Sequence, residues 1–591
     1  MIKIHPHTDL VTAAPALPVT EARPQPVNDW SVQPEVFFLE LTNHCNMHCT
    51  FCPSDYLKKE RGNADDELAV RFIEEVRDLG LNKPIQFNVL GEPLLNKKIY
   101  KYIDLCEQYG IEVYLISNFA ILDAERAKKI FQHDNVALVL SLQTPTEDSY
   151  KRMRGYDKLT FEQYFNRILP ALREKFANGS ASRVEVHVTS TSNMRADSTI
   201  QSDFDLNMWD PFAIEDKDAF VLNLLNLFDG FSEQLRAEFP EQFEAERVRS
   251  LEQYKEQLAR NHLAASRDTL PDGAIDMTED QFWGYMFAPN CFIRFKTFGL
   301  WTKEESFMKT FLPKESVVYV EEREEALDCS MAHNVSMLAD GQMSLCCLDY
   351  EGEMGLPNLR DTSIVELLRA PEREAIAKDS MKAEVCRRCQ GNIFVFDSAA
   401  QDERATRIDK FGRGWHPFEP DMNGIGGRWS NGDGWLYFLA RQDSNILDLR
   451  ILSVYDSSTP LTVRLRVQEG KEFGEVIAEQ VFFGQQNQMI DVELPLALKQ
   501  GRLYRVDLLS PTFVPAEANG GDDRRSLGIM LFEAGVRQGE LKVAAPEVAP
   551  EPAAIAEPVA APEPAVATPE PAAEAPAGRF KRWLSALTGK A

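Results

Sequence analysis

No apolar run in this chain of 591 residues approaches the roughly 20 residues a membrane-spanning helix requires, so no segment reads as a span. Nor does a secretory signal stand out. Met1 to Asp29 is rich in Pro, Ala and Val, but no apolar stretch follows its early lysine. Basic residues are short as well: 64 Lys and Arg stand against 92 Asp and Glu, a formal net charge of −28. The excess is spread along the chain, which argues against nucleic acid as a partner, because phosphate binding needs a basic face. A disulfide framework is also missing. The 10 cysteines gather as C-x3-C-x2-C near one end and as CC plus C-x2-C further on, which is metal-ligand spacing. The expected compartment is a reducing cytoplasm.

What is present is material for several cores. With 44% hydrophobic and 10% aromatic residues, three or four folding units are expected. After a flexible N-terminus (1–33), residues 34–193 alternate short apolar runs with amphipathic stretches, the pattern of repeated β/α units and a parallel sheet. The expected strands are Val36–Leu41, Ile85–Val89, Glu112–Ile116, Ala137–Leu142 and Arg183–Thr189, with helices over Leu68–Leu79 and Ile99–Tyr109. Five such strands predict a complete or partial β/α barrel. Residues 194–325 read as a helical insertion and the end of the barrel. Two long helical patterns, Lys217–Phe239 and Gln242–His262, precede an aromatic run from Phe282 to Trp301. Val221, Leu224, Leu225, Phe228 and Leu235 share one helix face, expected to pack as a stripe within the insertion itself, with a substrate cap as the alternative.

Between 406 and 540 the period switches to two, most cleanly in Leu461–Val467, and again in Leu503–Leu508 and Ile446–Ile451, which predicts an all-β sandwich. Residues 541–577 are almost entirely Ala, Pro, Glu and Val, the composition of an extended linker. In 578–591, Phe580, Trp583, Leu584 and Leu587 fall at i, i+3, i+4 and i+7, with Arg579, Lys581, Arg582 and Lys590 around them. That is a basic amphipathic helix, suited to marginal, peripheral contact with an anionic membrane or a partner.

The chemistry concentrates where the first expected strand runs into a loop carrying Cys45, Cys49 and Cys52. Three thiolates on a four-iron cubane leave one iron open to chelation, whereas a purely structural cluster closes that position. A structural zinc site, helped by His44 or His48, is the alternative for these cysteines alone. The loop, with Phe51 just before its last cysteine, resembles the cluster loop of the radical S-adenosylmethionine (SAM) superfamily. Gly91-Glu92-Pro93, at the end of the second strand, is similar to that superfamily's glycine-glutamate-proline motif, with Leu90 where many members have a second glycine. The resemblance implies a [4Fe-4S] cluster binding SAM. It places the methionine ammonium near the Gly91 backbone and Glu92, makes Ser117, Asn118 and Ser141 contacts to ribose or methionine, and makes Arg154 a partner for a carboxylate.

Further on, Cys329, then Asp340-Gly341 five residues before Cys346-Cys347, then a helix over Ser363–Arg369, then Cys386 and Cys389 resemble the SPASM/twitch region that follows many such barrels (326–400). Four ligands, Cys329, one of Cys346 and Cys347, Cys386 and Cys389, suffice for one auxiliary [4Fe-4S] cluster, which fits the shorter twitch form. A four-cysteine zinc knot is the alternative. Cys106 reads as core, and Cys291 has no evident role. Gly414–Glu419, Arg428–Ser430, Ser510–Phe513, Asp522–Arg524 and Leu527-Gly528 resemble a β module found beside bacterial glycosyltransferases.

The expected fold is therefore α/β: a partial (β/α) barrel of the radical SAM type, a twitch-like auxiliary cluster domain and a separate sandwich. The resemblance implies reductive cleavage of SAM and hydrogen-atom abstraction, with an electron donor such as flavodoxin or ferredoxin as partner. The leading substrate is a small molecule or sugar-linked group of surface polysaccharide metabolism, oxidised or remodelled. Peptide or protein modification is the rival, and a non-catalytic glycan-machinery binding protein with structural metal sites is the second alternative.

Overall fold

The computed structural model describes residues 32–190, 200–203, 217–260, 284–297, 305–309, 312–324, 329–401, 406–420, 426–453, 460–483, 488–520 and 522–541. All but the last two residues of the expected N-terminal segment, the linker beyond Leu541 and the basic helix lie outside the described residues. Two units form: one takes residues up to Lys314 and Val318–Val395, the other Glu315–Val317 and the chain from Phe396.

The first unit is a β/α partial barrel. Its strands and helices run β1 (Phe37–Leu39), α1 (Asp66–Leu79), β2 (Ile85–Phe87), α2 (Ile99–Gln108), β3 (Val113–Ser117), α3 (Ala124–Ile130), β4 (Val136–Gln143), α4 (Glu147–Met153), α5 (Phe161–Phe165), α6 (Ile168–Ala177) and β5 (Arg183–Ser190). Helices α1, α3, α4 and α5 are each capped by a side chain at the N-terminus. In α1, Asp65 caps the first turn by accepting from the Glu67 and Leu68 amides, Gly80 ends the helix at φ 64°, and Leu68, Phe72, Ile73, Val76 and Leu79 form the buried face. Parallel neighbours need such crossovers, and β1 to β5 pair in parallel in chain order.

After β6 (Ile200–Ser202), α7 (Lys217–Glu238) and α8 (Pro240–Arg260), strands β7 (Gly284–Ala288) and β8 (Cys291–Thr297) complete that side of the sheet. β8 lies parallel to β5, making a sixth parallel strand, and β7 closes the edge antiparallel. The stripe on α7 does not pack within an insertion of its own. Leu224, Phe228 and Leu235 enter the barrel core, and the Phe228 ring lies 4.8 Å from Phe287 and 6.0 Å from Phe165. A stripe that size finds more apolar area on the open barrel flank than on α8, whose sequence is rich in charged residues. Cys291, at the start of β8, is fully buried in the same core, as is Cys106.

Past α9 (Glu305–Met308) and β9 (Ser316–Glu321), the hairpin β10 (Val335–Met337) and β11 (Met343–Ser344) extends the barrel sheet at its other edge. β10 pairs in parallel with β1, Phe37 opposite Val335 and Leu39 opposite Met337. The helices α10 (Ile364–Arg369), α11 (Pro371–Lys378) and α12 (Glu384–Cys389) follow. Arg71 of α1 donates to the Leu359 and Thr362 carbonyls at 2.7 and 2.6 Å, and Glu75 accepts from the Ile364 amide at 2.6 Å. β12 (Asn392–Asp397) lies between β6 and β9 in a small separate sheet.

In the second unit, two antiparallel five-stranded sheets enclose Leu436, Phe438, Leu447, Leu449, Val463, Leu465 and Val506. Strand Pro460–Glu469 keeps Leu461, Val463 and Leu465 inside, while Arg464 pairs with Glu479 and Arg466 with Asp507. The alternation read from the sequence is thus a sandwich strand with one wet face. The quoted segments of this module converge: Ser430 N donates to Ile529 O, Gly528 N to Ser430 O and Asn431 N to Gly414 O, and Phe513 bridges Leu527.

Phe228→Ala is expected to destabilise the barrel unit by about 3–5 kcal/mol. Segment-resolved hydrogen exchange should show faster exchange in β5, α7 and β7 with no change in the sandwich.

Candidate functional site

The cysteine loop follows β1 and is gripped from three sides. Asn43 accepts from the Gly62 amide at 2.7 Å and donates to Glu60 O at 3.0 Å, while Arg61 holds Asn43 O and Ser54. From the second side, Gly91 at φ 77° presses on the loop backbone, and a Cβ there would collide with the Thr42 and His44 carbonyl oxygens. Glu92 N donates to His44 O at 2.8 Å. From the third side, Gly155 at φ 54° leaves no room for a Cβ beside His48 O, and Thr50 N donates to Met153 O at 2.9 Å. Both glycines combine a left-handed backbone with close approach, which only this residue tolerates.

This grip leaves Cys45, Cys49 and Cys52 partly buried and within electrostatic reach of one another. Burial pushes the Cys45 thiol up to about 11 and raises Cys49 and Cys52 as well. Without a cation the three are neutral thiols, and an iron–sulfur core would deprotonate them. Among the described residues no set of His, Cys, Asp or Glu groups is drawn into a tight cage for a single metal ion.

The strand ends beside the loop are joined by buried hydrogen bonds. Glu92 is buried, and its carboxylate accepts from Ser117 Oγ at 2.7 Å, Asn118 N at 2.6 Å and Leu94 N at 3.1 Å. About three of its four acceptor positions are filled, and burial pushes the carboxyl up to about 7. Ser117, expected to touch ribose or methionine, is fully buried and also accepts from Phe119 N. Glu92 and Ser117 thus tie the ends of β2 and β3 together. Pro93 is buried and begins the short helical turn after Glu92. Asn118 faces the loop, its amide 3.6 Å from Cys45 Sγ and 2.9 Å from Asn46 Oδ1. Ser141 is half-buried, and its carbonyl accepts from Tyr164 Oη at 3.1 Å. Arg154 is 2% exposed, donates to Tyr164 Oη at 3.0 Å, and lies 5.8 Å from the ring of the half-buried Phe51.

The later cysteines come together from three elements. Cys386 and Cys389 sit on α12, and burial, followed by Cys389, Cys346 and Cys329, pushes the Cys386 thiol up to about 12. Cys346 accepts from the Leu348 amide at 3.4 Å. Its neighbour Cys347, hydrogen-bonded to it through the side chain, also packs on the apolar group of Val36, Phe38, Val89, Leu90, Leu338 and Tyr350, which receives Cys52 as well.

Two further groups escaped the sequence reading. Glu40, just past β1, accepts from Leu90 N and Ala339 N, both at 2.9 Å, so one buried carboxylate joins the Gly-Glu-Pro turn to the β10 hairpin. On the inner face of β5, Glu185 meets His187 Nε2 at 2.8 Å and the Nε atoms of Arg183 and Arg294 at 3.1 Å each. Burial pushes the Glu185 carboxyl upward, but Arg294, Arg183 and His187 outweigh it and hold the group well below its ordinary range. The signal was available: Arg183-Val-Glu-Val-His-Val alternates polar residues in a strand buried on both faces.

A six-strand parallel partial barrel with a three-cysteine loop after its first strand, followed by a cysteine-bearing hairpin and helix, defines the class of cluster-bearing β/α proteins. Residues 39–183 match the family described as the radical SAM superfamily, and residues 329–390 match the SPASM iron–sulfur cluster-binding domain. The chain thus carries a radical SAM domain and, C-terminal to it, a SPASM region. Those domains imply a [4Fe-4S] cluster with SAM and an auxiliary iron–sulfur site.

Among curated proteins, an SAM-dependent 2-deoxy-scyllo-inosamine dehydrogenase from Niallia circulans is 32% identical over 72 residues, 12% of this chain and 29% of that protein. A GTP 3′,8-cyclase from Campylobacter lari is 31% identical over 116 residues, 19% of this chain and 35% of that one. The matches span between 26% and 40% of the relatives' lengths. Among solved structures, SuiB of Streptococcus suis bound to S-adenosylmethionine is 13% identical with a TM-score of 0.33, over 61% of this chain and 73% of that one. The residues here fit a cluster: the donors are soft thiols, and the buried Nε of Arg154 beside them lacks a hydrogen-bond partner.

Gly155→Ala should displace the loop without unfolding the barrel, so iron after anaerobic reconstitution falls from about eight to about four per chain, with circular dichroism unchanged. A second expectation concerns pH. Burial raises Glu40 from 4.5 to about 7, so the folded state holds its proton longer than the unfolded chain. The corresponding stability is complete below pH 4.5 and is lost as pH rises through 7. Urea midpoints of the unloaded protein should therefore fall more steeply over that window than those of Glu40→Gln.

Proposed function

We propose that the chain is a radical SAM oxidoreductase that removes hydrogen from an alcohol carbon of a sugar-linked or cyclitol-like small molecule. In this reading Cys45, Cys49 and Cys52 hold the cluster that binds SAM, and the observation that carries it is the grip placing these three thiols beside Asn118, Phe51 and Arg154. Held there, the cluster would supply the electron for reductive cleavage of the SAM sulfonium. The Gly91 turn, Glu92, Ser117 and Asn118 line the cofactor side, and the Glu92–Ser117 hydrogen bond keeps those strand ends in register. Cys329, Cys346, Cys386 and Cys389 are the auxiliary ligands, in the single-cluster twitch form. Cys346 is favoured over Cys347 because Cys386 interacts with it.

Oxidising an alcohol also requires an acceptor for the second electron, which the auxiliary cluster held by Cys329, Cys346, Cys386 and Cys389 would take, and an acceptor for the hydroxyl proton. His187, held against Glu185 on the inner face of β5, is suited to that task. The named activity of the Niallia circulans relative, a dehydrogenase of a cyclitol amine, supports this substrate class over peptide modification, as does the glycosyltransferase-associated look of the sandwich. The partners would be a flavodoxin- or ferredoxin-like donor and the substrate. Among the described residues no helix is long and apolar enough to cross a membrane. We place the protein in the cytoplasm, with the basic C-terminal segment supplying at most peripheral contact.

Anaerobic iron and sulfide analysis should give about eight irons per chain in the wild type and about four in the Cys45/Cys49/Cys52→Ala triple variant. Dithionite-reduced wild type should convert SAM to 5′-deoxyadenosine. A zinc-loaded loop, or no 5′-deoxyadenosine from an iron-replete protein, would overturn the proposal.

A further inference from the structure

We propose that Arg373 is a positioning residue of the auxiliary cluster site: its guanidinium ties the turn that follows Cys329, and the chain entering β1, to helix α11, and so fixes Cys329 relative to the two thiols of α12. The inference rests on the auxiliary ligand set proposed above. Arg373 is among the largest side chains that the core encloses completely, with 0% exposure. Nη1 donates to Val32 O at 2.7 Å and Nη2 to His333 O at 2.6 Å, while Nε has no hydrogen-bond partner. The groups it holds are backbone carbonyls, not carboxylates.

A guanidinium buried on backbone alone is a costly way to fill space, because no opposite charge offsets its desolvation, and an apolar side chain of similar volume would pack there for less. What arginine adds is reach, since its planar fork presents donors in fixed geometry to two acceptors at once. Both acceptors lead to the site. His333 ends the short turn Ser330–His333 that has Cys329 at its N-cap, and Ala332 N donates to Cys329 O at 2.9 Å. Val32 lies on the approach to β1, which the fully buried Asn334 binds to the same turn: its Oδ1 accepts from Glu35 N at 3.1 Å and from Val36 N at 3.0 Å. α11 runs on through the turn Ser380–Lys382 into α12, which carries Cys386 and Cys389. The loop of Cys346 has a tie of its own to α12, because Arg388 pairs with Glu353, whose amide donates to Asp349 at 2.6 Å. For Cys329 the corresponding tie is Arg373, and outer partners that orient ligands govern how well a site holds its metal.

The test uses the full-length chain with Cys45, Cys49 and Cys52 replaced by Ala and reconstituted anaerobically, so that iron reports the auxiliary site alone. Iron per chain and the EPR spectrum of the reduced cluster are measured for this parent, for Arg373→Met and Arg373→Lys, and for Ile376→Ala, which loosens α11 in the core without touching either carbonyl. The parent is expected to hold about four irons, and Arg373→Met to lose most of them. Arg373→Lys should keep an intermediate share, because a single ammonium does not span both carbonyls as the fork does, and Ile376→Ala should match the parent. Full loading of Arg373→Met with the parent spectrum would overturn the proposal, as would an equal loss in Ile376→Ala, which marks a packing role. If Arg373→Met does not fold, Arg373→Lys decides by the same readings: less iron or a changed spectrum supports the proposal, and parent values overturn it. A parent without iron, or a Cys329→Ala variant that keeps the parent's iron, refutes the ligand set and the inference with it, before any Arg373 variant is read.

Discussion

One buried carboxylate organises the mouth of this barrel. Glu92 gathers donors from Ser117, Asn118 and Leu94 while its own amide reaches back to His44 O. The ends of β2 and β3 and the cysteine loop are therefore tied at one point. A charge-accepting group with several short hydrogen bonds in a low-dielectric site cannot be displaced without leaving those donors unsatisfied. That is why the loop, which has no regular structure of its own, can present three thiols in a reproducible arrangement. Gly91 and Gly155 finish the arrangement sterically by admitting carbonyl oxygens where any side chain would push the loop away.

The same economy of parts joins the later cysteines to the barrel. The β10 hairpin is an extension of the barrel sheet, paired with β1 along its length, and Glu40 fastens it to the Gly-Glu-Pro turn. α1 holds the following segment through Arg71 and Glu75. The spacing between the two cysteine groups is thus set by backbone pairing and buried hydrogen bonds rather than by a linker. For an enzyme that must manage single electrons, fixed distances between redox sites are a precondition of control.

Legibility in the sequence followed the range of the interactions. The barrel strands and the helices α1 and α2 were readable because period and capping are properties of adjacent residues, and the sandwich strands because Leu461–Val467 alternates without a break. Boundaries moved by a few residues where burial continued past hydrogen bonding, as at Val36 and Leu41. The stripe on α7 was visible, but its destination was not: packing against Phe165 and Phe287 depends on where the crossover helices leave the barrel flank open.

At the site itself, the spacing of Cys45, Cys49 and Cys52, the aromatic before the third thiol and the paired Cys386 and Cys389 followed from the sequence alone, because ligand type and spacing are written locally. Tertiary structure alone decided that Glu92 and Ser117 join the ends of β2 and β3, that Cys291 is core, that Cys346 lies near Cys386, and that Arg154 is buried against Tyr164. Each of these depends on residues tens to hundreds of positions away. Burial and the completion of hydrogen bonds are properties of the folded neighbourhood, not of the residue.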